Sequence, residues 1–321
     1  MRRRDFLVGC SLGPAAALEL TGCRQTPAPR ARAIVQVTRT AAYSQDLYDT
    51  MRRVLAAHQL NVRGRRVVLK PNLVEFEPGS AINTHPMLVH ATLEAFRELG
   101  ASVAIAEGPG HRRSTLDLAD AAGYFQTIPE FENIFTDLNL DELSPVRLPH
   151  PVSRLRSLYL PHTVLGSDLL VSMPKMKTHH WAGATLSMKN LFGIVPGGVY
   201  GWPKNVLHWA GIHQSIADLH SLFPKHFAIV DGIVGMDGNG PIQGQPKAAG
   251  VIVSGHDPVA VDATCCRIMQ IDPSLIGYLT LAGGLEGIAE ENIQQIGEKP
   301  DSVATRFELI MEMRGLRREK G

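Results

Sequence analysis

The feature that most constrains this chain is its repeated alternation of short apolar runs with helix-length amphipathic segments. Ala33–Val37, Arg66–Leu69 and Ser102–Ala106 read as strands. Between the first two lies a segment through Leu47, Met51, Val54 and Leu55. Its apolar residues fall three and four apart, and Ser44 is its expected cap. A second helical segment starts at Pro86, runs through Val89, Leu93 and Phe96, and stops at Gly100. A third, Leu116–Ala122, closes at Gly123. Further on, Asp168–Ser172, Phe227–Val230 and Ala249–Val253 read as strands. Thr185–Phe192, His208–Phe223, Pro258–Met269 (capped by Asp257) and Pro273–Ala282 read as helices. Pro129 to His162 looks irregular or antiparallel, and the tail from about Arg314 looks frayed. Strands that alternate with helices fold as βαβ units. The expected class is α/β, a mainly parallel sheet flanked by helices. With 321 residues and 44% hydrophobic composition, the chain can build one large domain or two lobes.

The first residues read as an address. Arg2, Arg3 and Arg4 precede Asp5, Phe6 and Leu7, the pattern that the bacterial twin-arginine translocase reads. A mostly apolar run from Phe6 to Leu20 follows, broken by Gly9, Gly13, Pro14 and Glu19. It is too short for a comfortable span, which needs about 20 apolar residues. Leu20-Thr21-Gly22-Cys23 then fits a lipobox, with small residues before the cleavage site and Cys23 as the lipidated new N-terminus. The competing reading is a plain cleaved signal. The expected organisation is a signal peptide over 1–22, a tether over 23–32 and one α/β domain over 33–315. Lipidation through Cys23 would place the protein outside the cytoplasm, in the periplasm or at the cell surface, on a membrane. Twin-arginine passengers travel folded and often carry a cofactor, which hints at one here.

Charge and cysteine usage exclude two classes. Removing residues 1–22 takes Lys+Arg from 32 to 29 and Asp+Glu from 31 to 29, so the remainder is neutral. A general nucleic-acid surface needs a basic excess. Cys265 and Cys266 are the remaining cysteines besides Cys23. Two adjacent thiols cannot hold an iron–sulfur cluster alone. They read instead as small apolar fillers in a helix.

Polar residues gather just after the expected strand ends, where open α/β sheets bind ligands. Lys70-Pro71-Asn72, with Thr84-His85-Pro86, can hold an anionic oxygen or form a helix-capping loop. Glu107-Gly108-Pro109-Gly110-His111 offers backbone N–H groups, or is simply a tight turn. The strongest cluster is Pro174-Lys175-Met176-Lys177-Thr178-His179-His180, with Thr185, Lys189 and Asn190. In an extended segment Lys175, Lys177 and His179 share one side, with His180 on the other. Such a basic row calls for a carboxylate or phosphate, and the dipole of a helix starting near Thr185 would add to it. A neutral His179 could ligate a metal. The fourth cluster holds Asp231, Asp237-Gly238-Asn239-Gly240, His256, Asp257 and Asp262. There a turn would carry Asp231 toward the basic row, and Asp257 would cap a helix and face the crevice with Asp262.

The strings VLKPNLV, MPKMKTHHWAGATLSMKNLFGIVPG, IVDGIVGMDGNGP and GHDPVAVDATCCRIM resemble the proteins grouped as domain of unknown function 362, over most of residues 65–285. The resemblance implies a shared polar set: Lys70, Asn72, Lys175, Lys177, His179, Thr185, Lys189, Asn190, Asp231, Asp257 and Asp262. It supplies no reaction. Some relatives carry ferredoxin-like cysteine motifs, which this chain lacks.

Two functions fit. One is an exported enzyme, with redox chemistry as one version, acting on an anionic small molecule. Lys70, Asn72, Lys175, Lys177, Thr185, Lys189 and Asn190 would hold the anion. His179, with Asp231 or Glu107, would transfer protons, and a mononuclear metal on His179, Asp257 and Asp262 or an organic cofactor would assist. Any electrons would come through that cofactor or a separate redox partner. The alternative is a lipid-anchored binding protein for an anionic solute or metal complex.

Overall fold

A computed structural model describes residues 32–317. The lipobox, Cys23 and nearly all of the tether lie outside the described residues. The described residues contain twelve strands: β1 (Ala33–Arg39), β2 (Arg66–Pro71), β3 (Ser102–Glu107), β4 (Phe135–Asp137), β5 (Leu143–Arg147), β6 (Ser157–Pro161), β7 (Leu169–Met173), β8 (Lys175–His179), β9 (Gly183–Thr185), β10 (Phe227–Asn239), β11 (Gln243–Gly255) and β12 (Ile293–Gly297). Ten of them form one sheet in the order β12-β1-β11-β10-β7-β2-β3-β4, with β8 attached to β10 and β9 to β8. Pairing is parallel along β10-β7-β2-β3-β4 and in β1-β12. It is antiparallel in β1-β11, β10-β11 and β8-β9. The class is therefore α/β with a mainly parallel sheet, and β5-β6 form a separate antiparallel pair in the irregular middle. Of the two builds the length allows, the described residues form one compact unit.

Alternation along the strands builds two cores. Val67 and Leu69 of β2, Ile229 of β10 and Ile252 of β11 join one apolar cluster with Leu88, Leu93 and Phe96. Their neighbours Val68, Val230, Val251 and Val253 join the other, with Ile216, Ala260 and Cys265. Period-two side chains thus feed both faces of the sheet. The helix Pro86–Glu98 forms because proline pre-sets its first turn and the His85 ring accepts from the Met87 N–H at 3.2 Å. Its Leu88, Leu93 and Phe96 are fully buried. Each such side chain contributes about 1.5–3 kcal/mol of burial. Cys265 and Cys266 are buried free thiols in the helix Pro258–Ile268, which Asp257 caps by accepting from the Ala260 N–H at 3.1 Å.

Several local expectations are corrected. Phe227–Val230 and Ala249–Val253 are pieces of two 13-residue strands joined as a hairpin. Asp237, Gly238 and Asn239 of the expected turn lie in β10 and pair with β11, Gly238 with a left-handed φ of 77°, and the turn itself starts at Gly240. Thr185 ends β9 rather than starting a helix, and the helix after it, Ser187–Asn190, is a single turn. That leaves no macrodipole of the expected kind at Thr185. His208–Phe223 is two helices, Asn205–Trp209 and Ile212–Leu222, parted at Gly211 with φ 105°. The helix after Ser44 starts at Leu47 with no side-chain cap.

Candidate functional site

The carboxyl ends of β2 and β3 open on a cavity of about 940 Å3. Lys70 and Asn72 leave β2, and Glu107 leaves β3. Lys177 and His179 come from β8, Thr185 from β9, and Lys189 and Asn190 from the short helix behind it. All eight line the cavity. These eight are among the expected residues, and the sheet brings them to one place.

At one wall, Lys70 and Glu107 form a fully buried pair, Nζ to Oε2 2.6 Å. Lys70 also donates to Pro71 O at 3.0 Å and Asn190 Oδ1 at 3.1 Å. Glu107 accepts from the Leu73 and Gly108 N–H groups as well. Its donors are thus structural, and it serves as a counterion rather than a free acid or base. Gly193 lies over this pair. A Cβ there would run into the Glu107 carboxylate and the Lys70 ammonium, so the glycine is needed for the close approach. Lys177 is completely buried and donates to Ile82 O at 2.9 Å and Pro241 O at 3.1 Å. Burial, then repulsion from Lys175 and Lys189, pushes its pKa well down.

Two lysine pKa values reach neutrality. Lys189 is lowered to about 7 by burial and by the charge of Lys70. Lys204, also on the wall, is lowered to about 7, chiefly by burial. It donates to Asn139 Oδ1 at 3.1 Å and to Val195 O. Thr185 Oγ1 and Asn72 Oδ1 are buried with no protein partner. Buried polar groups are normally satisfied, so both are placed to bond a ligand or water.

Hydrogen bonding sets three of the four wall histidines apart; the fourth is His111. His179 Nδ1 accepts from the Trp181 and Ala182 N–H groups at 3.0 and 3.2 Å. Burial drives its pKa well down, so the ring is neutral with its proton on Nε2. It is a donor, neither the base nor the metal ligand expected of it. His180 Nδ1 lies 2.8 Å from Gly240 O, and His208 Nδ1 lies 3.0 Å from Lys204 O. A carbonyl only accepts, so both rings carry a proton on Nδ1, and His208, which stays neutral, keeps an Nε2 lone pair. His208 is lowered to about 4, chiefly by burial.

Other expected residues lie elsewhere. Lys175 and Asp231 make a second buried pair at 2.6 Å. Asp231 also accepts from Tyr43 Oη at 2.8 Å and the His85 N–H at 3.0 Å, and Tyr43 stacks on the His85 ring. Neither lines the cavity, so the catalytic role expected of Asp231 and the ligand role of Lys175 are corrected to a sealed support. The cause is an irregularity: Asp231 pairs with Lys175 and Met236 with Lys177, so β10 advances five residues while β8 advances two. Across that shift β10 sets Asp231 beside Lys175 and Met236 beside Lys177, so the two lysines meet different partners. Asp262 accepts from Ser187 N–H and Oγ–H and from the Met188 N–H. Burial raises it to about 7 against those donors. With Asp257 capping a helix and the His179 Nε2 protonated, the set His179, Asp257 and Asp262 does not fit a metal. Among the described residues no group of three or more His, Cys, Asp and Glu is placed to hold one.

Lys204, His208 and Gly193 were missed. Lys204 and His208 sit in a stretch of mixed polarity with no strand end nearby to mark them. His180 was placed on the opposite side by period two, yet its ring lies 4.9 Å from that of His179.

Comparison with known proteins adds kinship. The thylakoid-associated protein sll1697 of Synechocystis sp. is 28% identical over 219 residues, which span 66% of this chain and 65% of that protein. The chain thus covers just under two thirds of that relative's length. The lactate racemase apoprotein of Thermoanaerobacterium thermosaccharolyticum superimposes with a TM-score of 0.47 at 15% identity, over 75% of this chain and 58% of that one. The family model described as domain of unknown function (DUF362) matches residues 67–267, which contain every wall residue built from β2, β3, β8 and β9. The chain belongs to the DUF362 family.

Proposed function

We propose that this protein is an exported, lipid-anchored enzyme that binds a small carboxylate or phosphate in the lysine-lined cavity and moves a proton on it. One observation carries the reading: Lys70, Lys177, Lys189 and Lys204 share a wall with one buried carboxylate, Glu107. Lys70, Lys177 and Lys204 are buried and Lys189 half-buried, and holding such an excess there is costly without a matching anion. The lysines near neutrality and the divided histidine tautomers favour proton transfer over simple capture. His179 Nε2–H can donate, and the Nε2 atom of His208 can accept. The leader over residues 1–23 supports export and anchoring, and no described helix is long and apolar enough to cross a membrane.

Calorimetry with acetate, pyruvate and inorganic phosphate tests the site on the chain lacking residues 1–22. Lys204→Met and Lys177→Met are expected to weaken binding at least tenfold, equivalent to about 1.4 kcal/mol. An anion that binds all variants equally would place its site elsewhere. Anchoring is tested by Cys23→Ser in a host with a twin-arginine system. The variant is expected to leave the membrane fraction, and retention there would refute the lipid.

A further inference from the structure

Lys189 differs from the other three lysines of the wall. Lys70, Lys177 and Lys204 each donate from Nζ to protein oxygens. Among the described residues, Lys189 Nζ has neither a hydrogen-bond acceptor nor an ion-pair partner. It lies 3.8 Å from the centroid of the Phe192 ring. A ring face stabilises an ammonium, but only modestly. Lys189 is half-buried, so its ammonium gives up part of its hydration at this ring. Desolvation therefore wins, and the neighbouring Lys70 charge acts in the same direction. The cavity then holds a fraction of neutral amine at physiological pH, which is the form that attacks carbonyls.

We propose that Lys189 forms an imine with the carbonyl carbon of a small oxo acid bound in the cavity. The inference rests on the anion-binding reading: the remaining lysines would hold the carboxylate while the carbonyl meets Nζ. The Thr185 hydroxyl, buried without a protein partner, is a donor for the carbonyl oxygen. The amine lone pair forms the C–N bond, and the carbonyl oxygen leaves as water. The two amine protons account for that water, so no oxidant or reductant is needed. The imine carbon is then an electron sink for bonds at the adjacent carbon.

The test is borohydride trapping with pyruvate on the chain lacking residues 1–22, read by intact mass and peptide mapping. Borohydride delivers hydride to the imine carbon and leaves a stable secondary amine. One adduct per chain on the peptide carrying Lys189, absent without borohydride and absent in Lys189→Arg, is the expected result. The peptide assignment is made on the parent chain, so it holds even where the variant misfolds. Adducts scattered over surface lysines, or unchanged in Lys189→Arg, overturn the proposal. Pyruvate that binds by calorimetry without being trapped overturns the imine and leaves the anion site standing. Phosphate binding with no pyruvate binding overturns the oxo-acid assignment, and no anion binding at all sinks both readings.

Discussion

Replacing Glu107 with Gln keeps the shape of the side chain and removes the buried carboxylate of the cavity wall. The carboxylate accepts on both oxygens: Lys70 Nζ and Leu73 N–H on one, Gly108 N–H on the other. Whichever way the glutamine amide turns, its NH2 faces a donor. Breaking a buried pair by removing one partner costs about 3–5 kcal/mol. Lys70 keeps Pro71 O and Asn190 Oδ1, and burial already lowers its pKa so that it sheds its proton more readily. The expected loss is therefore about 3 kcal/mol, the lower end of that range. Unfolding entropy of about 2.1 cal/mol/K per residue gives about 0.6 kcal/mol/K for a domain of this size, so Tm should fall about 5 °C. Calorimetric melts and urea titrations read the stability, while anion titration reads the site. Anion affinity should hold or rise, because a negative charge has left the wall. Adding Lys70→Met should recover most of the stability, since an apolar replacement removes the stranded charge. An unchanged Tm would refute the buried pair. Anion binding lost at full stability would make Glu107 a ligand or catalytic group instead of a counterion.

Asp231→Asn should destabilise by a similar few kcal/mol, because it strands Lys175 and leaves an amide facing Tyr43 Oη or the His85 N–H. Anion binding by the folded fraction should be unchanged, and a selective binding defect would return Asp231 to the active site. Nitrogen NMR of the imidazoles should find His179 protonated on Nε2 and His180 and His208 on Nδ1, and the reverse pattern for His179 would restore it as a base or metal ligand. Stability should climb with pH in two windows. Lys189 and Lys204 sit near 7 folded against about 10.4 unfolded, so the unfolded chain binds more protons between those values and raising pH favours the fold. His58, His85 and His208 near 4 and His226 near 3 stay neutral when folded, so stability falls as pH drops below about 6.5. Asp262, raised to about 7, opposes this between about 4 and 7, as one group against four. Urea midpoints that decline from pH 7 to 10 would contradict the lysine assignments.

The sequence by itself determined the fold class and the eight wall residues Lys70, Asn72, Glu107, Lys177, His179, Thr185, Lys189 and Asn190. It could do so because strand-helix alternation is written in local periodicity, and parallel strands in an open sheet deliver their following residues to one edge. The family was legible for a related reason, since its motifs are those strand ends. Tertiary structure alone decided the rest. Lys175 and Lys177 are two residues apart and look equivalent, yet the shifted pairing of β8 against β10 sends one to a sealed pair with Asp231 and the other to the cavity. His179 reads as a base until the Trp181 and Ala182 N–H groups occupy its Nδ1. Lys204 and His208 join the wall from far along the chain. Asp257 and Asp262 look like ligands but are consumed by helix starts. In each case the deciding partner is a backbone group or a register that no local pattern encodes. Protonation state and availability follow from such partners, so residue type marked where the chemistry gathers and only packing assigned the roles.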